Sequence, residues 1–329
     1  MKKNHQCTIE LTNNDISLLL NLARILNESV NPPDNPESFC NKAKMLSNLL
    51  PNHIKDELMH FSVNGSPTGY LLIKNIPVEN TPPTPSGNQF KVGETTLLAK
   101  IQAILISFFS DLISYEAEGY GRLFQDVVPI KSMSTVQTSL GSNTELEIHT
   151  EQAFSKLRPD FLSLSCLRGD HNANTYILPV QKIIDNATKN EIDILRKPLW
   201  KTGVDLSFKL NGHEFIEGDT RGPLAILTGD QFDPQITFDQ DLMTGVCNES
   251  QAMVKKIVDI YYKHRYSHNL KPGEIIIIDN RRALHGRSPF FPQFNGFDRF
   301  LIRCFSTLDY NKSVYARINN GRTIAAIYS

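Results

Sequence analysis

The hydrophobic period of this chain changes once, and that change constrains the fold more than any other feature. Before about residue 115, apolar residues recur at helical spacing; from about residue 125 they gather into short β-rich runs. Thr12 to Asn14 offer N-cap oxygens, and Ile16, Leu19, Leu20, Ala23 and Leu26 follow as one helical face. A proline-rich break over Asn31 to Pro36 leads to a second helix carrying Phe39, Ala43, Leu46 and Leu50, and Pro51 is placed to open a third. Gly69 to Ile73 reads as a short strand, and Glu79 to Gly93, rich in proline and glycine, as a loop. Leu97, Leu98, Ile101, Ile104, Leu105, Phe108, Leu112 and Ile113 fit one long buried helix. Strands are then predicted over Phe161 to Leu167, Thr175 to Val180, Pro223 to Leu227, Glu274 to Asp279 and Arg299 to Phe305. Helices interrupt them near Val180 to Ala187 and Ser250 to His268. Helices first, then many short strands, predicts a β-sandwich or barrel buttressed by helices. No boundary is marked, so 1–329 reads as a single domain. Its first part, 1–115, is a mostly helical layer, and 116–329 is a strand core with inserted helices.

The chain has 329 residues, 40% of them hydrophobic, enough for one large core. A formal net charge of −1 gives no basic field to attract nucleic acid or an anionic membrane. Lys255, Lys256, Lys263 and Arg265 read as a solvated helix face. No apolar run approaches a membrane span, and Met1 to Cys7 is polar, unlike a signal peptide. Cys7, Cys40, Cys166, Cys247 and Cys304 are scattered and odd in number, which suits reduced thiols in the cytoplasm. Homo-oligomerisation stays open.

Chemistry concentrates in three places. In Glu147-Ile-His149-Thr-Glu151, an extended backbone points His149 and Glu151 the same way, so both can reach one metal. Taken alone, such a triplet is more often a surface or hydrogen-bonded pair. In Ile275-Ile-Ile-Ile-Asp-Asn-Arg-Arg-Ala-Leu-His285-Gly-Arg287, an apolar strand and a turn deliver a histidine beside a glycine. A turn histidine capping a carbonyl is the equal alternative. Arg299 and Arg303 alternate with Phe300 and Ile302 in a β-type run, and buried arginines need anionic partners, from within the chain or from ligands. Two histidines and one carboxylate make the facial set of iron(II) oxygenases, with three positions open. The HExxH helix of zinc hydrolases is absent, and no Cys or His nearby in sequence would close a structural zinc site. His5, His53, His60, His213, His264 and His268 read as surface or satisfied histidines, His171 as structural, and Trp200 as packing.

With these residues in place, the chain resembles the clavaminate synthase-like branch of the Fe(II)/2-oxoglutarate dioxygenases, which includes hydroxylases of free arginine, asparagine and lysine. The resemblance runs from about Gly69 to the C-terminus. It is strongest in Phe124–Pro129, Ser139–Phe154, Asp160–Thr175, Asn280–Ser288 and Arg299–Arg303. It implies a mainly β fold, a double-stranded β-helix (jelly roll) with flanking helices. It implies His149, Glu151 and His285 as iron ligands, and Arg299 with Thr175 on the distal carboxylate of 2-oxoglutarate. Arg303 would take the α-carboxylate of an amino acid and Glu118 its amino end. Ser139 and Leu140 would touch substrate, and Asp239 would read its side chain. The implied reaction consumes O2 and 2-oxoglutarate and hydroxylates an unactivated C–H of a free L-amino acid. Asp239, with Asp233 and Asp241 near it in sequence, points to a basic side chain, lysine first, with C4 favoured over C3. Arginine and asparagine hydroxylases are the rivals within the family. A non-catalytic jelly-roll binding protein is the rival outside it.

Overall fold

The computed structural model describes residues 7–32, 34–78, 80–205 and 220–328. Strand β1 (Thr8–Glu10) leads into α1 (Asn13–Ser29). There the Thr12 hydroxyl accepts from the Asp15 N–H while the Asp15 carboxylate accepts from the Thr12 N–H, a reciprocal cap. Asn35 caps α2 (Pro36–Ser47), and Pro51 precedes α3 (Asn52–Asn64). Strand β2 (Tyr70–Lys74) and α4 (Leu97–Ser107) follow. From Leu98 onward α4 is buried on every side, which is why its sequence shows almost no polar face.

The long helix predicted through Ile113 stops at Ser107, and Leu112 and Ile113 belong instead to β3 (Asp111–Tyr115). The Ser110 hydroxyl donates back to the Ile106 carbonyl and lies 2.9 Å from the Ser306 hydroxyl, which can donate to it, closing the helix end. Beyond it, pairing of Ile113 with Phe305 offers the backbone a ladder that outweighs helical spacing.

The remaining strands are β4 (Gln125–Val127), β5 (Leu146–His149), β6 (Phe161–Arg168), β7 (Asn174–Pro179) and β8 (Trp200–Gly203). Then come β9 (Thr220–Leu224), β10 (Leu227–Gly229), β11 (Pro234–Ile236) and β12 (Met243–Gly245). Last are β13 (Tyr266–Asn269), β14 (Ile275–Asp279), β15 (Ala283–Arg287), β16 (Phe300–Thr307) and β17 (Thr323–Ile324). A large sheet runs β1-β2-β14-β6-β16-β3-β17, with β4 also on β16; a smaller one runs β13-β7-β15-β5. The run predicted from Pro223 to Leu227 divides, because Leu224 pairs with Trp200 whereas Leu227 pairs with Ile236. The helix predicted to His268 ends at His264, and Tyr266–Asn269 leaves it to pair with β7.

Alternation along the strands shows how the layers stack. Ile275, Ile277, Phe300 and Ile302 pack against the N-terminal helices, while Ile276, Ile278, Leu301 and Phe305 pack with Ile177 and Ala283 of the small sheet. On the far side of that sheet, Ile148, Leu178 and Leu284 pack against α5 (Val180–Asp185), α6 (Lys189–Leu195) and α7 (Asn248–His264). The order is helices, large sheet, small sheet, helices. The described residues before 116 thus supply α1 to α4 and also lend β1, β2 and β3 to the large sheet. Gln102 of α4 fastens the first two layers: its amide donates to Ser163 and accepts from Ser165, both on β6. All five cysteines are unpaired. Among the described residues, no helix is long and apolar enough to cross a membrane.

Candidate active site

Strands β5 and β15 run antiparallel with His149 directly opposite His285, and their ring centroids are 4.4 Å apart. Glu151 joins them, so that one ligand atom from each of the three lies within 4.8 Å of the others. Glu151 is not on the strand, as simple extension would have it. β5 ends at His149, and Glu151 opens a turn whose next residue, Gln152, sits at φ +52°. Asn280, in the β14–β15 turn, holds that turn: its side-chain carbonyl accepts from the Glu151 N–H at 2.8 Å, and its amide donates to the Glu151 and Pro159 carbonyls. His149 Nδ1 lies 2.7 Å from the Glu147 carbonyl, which fixes the ring and leaves Nε2 toward the cluster. Burial alone raises the Glu151 carboxyl, but Arg303 and the hydrogen bond from His285 outweigh it and hold it at about 2. Burial and the neighbouring His149 lower His285. An anionic carboxylate and neutral imidazoles are the forms that ligate a divalent metal.

A small cavity of about 50 Å³ opens beside the triad and is lined by Thr175, His285, Arg287, Arg299 and Arg303. Arg299 is buried at 6% exposure, yet no carboxylate forms an ion pair with it among the described residues. The Thr175 hydroxyl in the same cavity is buried without a hydrogen-bond partner. An unpaired buried guanidinium beside an unpaired buried hydroxyl fits a carboxylate ligand. Arg287 differs, since its guanidinium donates to main-chain carbonyls.

A larger cavity of about 730 Å³ adjoins the small one, sharing His149, Glu151, Ser139 and Arg303 as lining. Glu118, Glu147, Asp205, Asp239, Asp241, Ser139 and Leu140 line it, and among the described residues Arg303 is its one Lys or Arg. Arg303 pairs with Glu118, donates to Gln125 Oε1 at 3.0 and 2.6 Å, and lies 3.7 Å from Glu151. Burial raises the carboxyls of Glu118, Asp205 and Asp239, and repulsion from neighbouring carboxylates adds to this: Glu151 at Glu118, Asp239 and Glu118 at Asp205, and Asp241 at Asp239. Asp239 bridges β-fashion to His149, and its carboxylate also accepts from the Leu242 N–H at 2.8 Å. It therefore caps a turn and faces the cavity at once.

All the residues singled out from sequence converge here except Asp233, whose carboxylate is held by Arg282 at 2.6 Å outside both cavities. Asp205 was missed. It follows β8 with no motif around it, and only the fold brings it beside Asp239. His171 is exposed and lines neither cavity, and Trp200 is buried with its indole donating to Ser250. His53 meets Asp15 and His268 meets Glu274. His5 and His213 lie outside the described residues.

The family described as taurine catabolism dioxygenase TauD, TfdA matches residues 105–305. An L-lysine 3-hydroxylase of Catenulispora acidiphila is 47% identical over 88% of this chain and 82% of its own length. Clavaminate synthase 2 of Streptomyces clavuligerus is 30% identical over 87% of this chain and 89% of its own. Among solved structures, asparagine oxygenase in complex with Fe(II), 2S,3S-3-hydroxyasparagine and succinate superposes with a TM-score of 0.90. It is 28% identical, and the match covers 97% of this chain and 99% of that one.

Proposed function

This chain belongs to the TauD, TfdA dioxygenase family and its clavaminate synthase-like branch, and from that premise we propose that it hydroxylates free L-lysine at C3. Fe(II) would be held by His149, Glu151 and His285. 2-Oxoglutarate would place its distal carboxylate on Arg299 and Thr175, and the two sheets would form the walls of a jelly roll. When bound, iron and keto acid supply activation of O2, with decarboxylation of 2-oxoglutarate to succinate and CO2. The chain's own residues orient the amino acid and exclude water. Arg303 would take its carboxylate, Glu118 its ammonium, and Ser139 and Leu140 would close over it. The thiols' reduced state suits a cytoplasmic enzyme.

The observation that carries the substrate is the charge of the large cavity. Among the described residues several carboxylates face it and one arginine answers them, and that arginine is already paired. A lysine ε-ammonium reaching Asp239 and Asp205 would relieve their repulsion. Asparagine would leave them crowded. The lean to C4 rested on the side-chain end alone. Arg303 sits 3.7 Å from the ligand Glu151, so the anchor for the α-end lies against the metal cluster. That favours the carbon next to Cα, and the 47% identical relative is named for the same position.

The test is to incubate the protein with Fe(II), 2-oxoglutarate, O2 and each of the twenty amino acids in turn. Succinate is measured, and the product is located by NMR. Lysine-dependent succinate with a 3-hydroxyl is expected. Succinate with asparagine alone would defeat the basic-substrate reading, and a 4-hydroxyl would return the site to C4.

A further inference from the structure

Arg287 lies two residues beyond His285 on β15, and its placement is unusual for a buried cation. It is 4% exposed and forms no ion pair among the described residues. Instead its guanidinium donates to the carbonyls of Gly141 at 2.8 Å, Thr144 at 3.2 Å and Ser139 at 3.4 Å. Those carbonyls belong to the loop between β4 and β5, and Ser139 lines both cavities while Leu140 lines the larger. Phe290, three residues beyond Arg287, ties the same loop, its N–H donating to the Ser142 carbonyl at 2.9 Å. The phenyl ring of Phe290 is shared: the Arg287 guanidinium lies 5.0 Å from its centroid and that of Arg299 5.7 Å. Two buried cations thus flank one ring beside the small cavity, and among the described residues neither forms an ion pair with a carboxylate.

Like charges so placed repel, and main-chain dipoles compensate only Arg287. An anion entering the small cavity would offset that repulsion and let both guanidinium groups settle. Arg299 would feel this as a ligand contact. Arg287 would feel it as firmer bonds to the loop carbonyls. We infer that Arg287 is a positioning residue that transmits occupancy of the keto-acid cavity to the Ser139–Thr144 loop, and so prepares the amino-acid cavity. This rests on 2-oxoglutarate occupying the small cavity. Coupling of this kind needs one element that both sites bias, and the loop meets that requirement because it borders both.

The experiment measures hydrogen–deuterium exchange in residues 134–146 of the intact protein with Mn(II) alone and with Mn(II) plus 2-oxoglutarate. Calorimetry then gives the affinity for 2-oxoglutarate, and for lysine with and without it. In the unmodified protein, 2-oxoglutarate is expected to slow exchange in the loop about fivefold and to tighten lysine about tenfold. Arg287→Lys, which keeps the charge but loses the planar fork of donors, is expected to bind 2-oxoglutarate within about threefold of the parent and lose both effects. Binding of 2-oxoglutarate without any change in loop exchange overturns the inference in the unmodified protein alone, whatever the variant's folding. Equal protection in Arg287→Lys overturns it as well. Failure of the unmodified protein to bind 2-oxoglutarate at all is a different result. It removes the proposed function, and the inference falls with it.

Discussion

The residues that matter most are those whose charge or lone pair is turned to the two cavities. The His149 and His285 rings are tilted at 52° with centroids 4.4 Å apart and Glu151 beside them, and on the proposed reading removing either imidazole leaves two ligands that cannot define a coordination geometry. His149→Ala and His285→Ala are each expected to bring lysine-dependent succinate formation to background, and turnover near the parent rate would sink the triad. The two arginines separate by what already holds them. Arg299 has no ion-pair partner among the described residues, so on the proposed reading Arg299→Ala removes the keto-acid contact and, within the chain, its contact with the Phe290 ring. A charge-assisted contact in a dry site is worth about 3 kcal/mol, so the KM for 2-oxoglutarate should rise roughly a hundredfold, with little change for lysine. Arg303 holds Glu118 and Gln125, so Arg303→Ala should weaken lysine most and leave two buried side chains without their partner. Steady-state kinetics with each substrate varied in turn checks the pair, and the reverse pattern would show the assignments exchanged.

At the scale of elements, the site depends on a turn reaching across to another turn. Glu151 lies off the end of β5, and Asn280, at the end of β14, fixes it by one accepted and one donated bond. Asn280→Ala is therefore expected to weaken metal binding about 10- to 100-fold while the fold persists. Titration with Mn(II) measures this, and unchanged affinity would mean that the turn holds itself. Much at this level could be read from the chain. The Ile275–Ile278 run is apolar at every position because one alternate set packs on the helices and the other between the sheets. Alternation likewise placed Arg299 and Arg303 together, and the histidine motifs were adjacent to strands that proved to be neighbours. The missed features have a common cause. The end of α4, the split between β9 and β10, and the place of Asp205 are decided by pairing partners distant in sequence, which local periodicity does not encode.

For the whole molecule, the near-neutral net charge conceals a strongly unequal interior. Arg287 and Arg299 line the small cavity, and Glu118, Asp205 and Asp239 line the second, larger side of the site. A zwitterion with an additional ammonium matches that second side, and bringing its charge out of water costs several kcal/mol unless carboxylates meet it. The electrostatics then fix the sign of a pH effect. Burial raises the Asp239 and Asp205 carboxyls above the ordinary aspartate range, with repulsion from Asp241 adding to it at Asp239 and repulsion from Asp239, Glu118 and Glu151 at Asp205. As pH falls, they take up protons sooner than exposed aspartates would, and the cavity loses negative charge. The ε-ammonium of lysine stays protonated across that range. Lysine should therefore lose affinity as pH falls, at pH values above those at which exposed aspartates take up protons, whereas L-norleucine, with the same methylene chain and no ε-ammonium, should bind weakly and almost independently of pH. Asp239→Asn provides the control. Its side-chain carbonyl can still accept from the Leu242 N–H, so the turn survives while the charge is lost. The variant should bind lysine and norleucine more nearly alike, with a flattened pH profile for lysine. Substrate-independent decarboxylation of 2-oxoglutarate should remain close to the parent rate, because the triad, Thr175 and Arg299 are untouched. Parallel pH profiles for lysine and norleucine in the parent protein would show that the carboxylates do not meet the side chain. Equal loss of coupled and uncoupled turnover in Asp239→Asn would assign that residue to the turn alone.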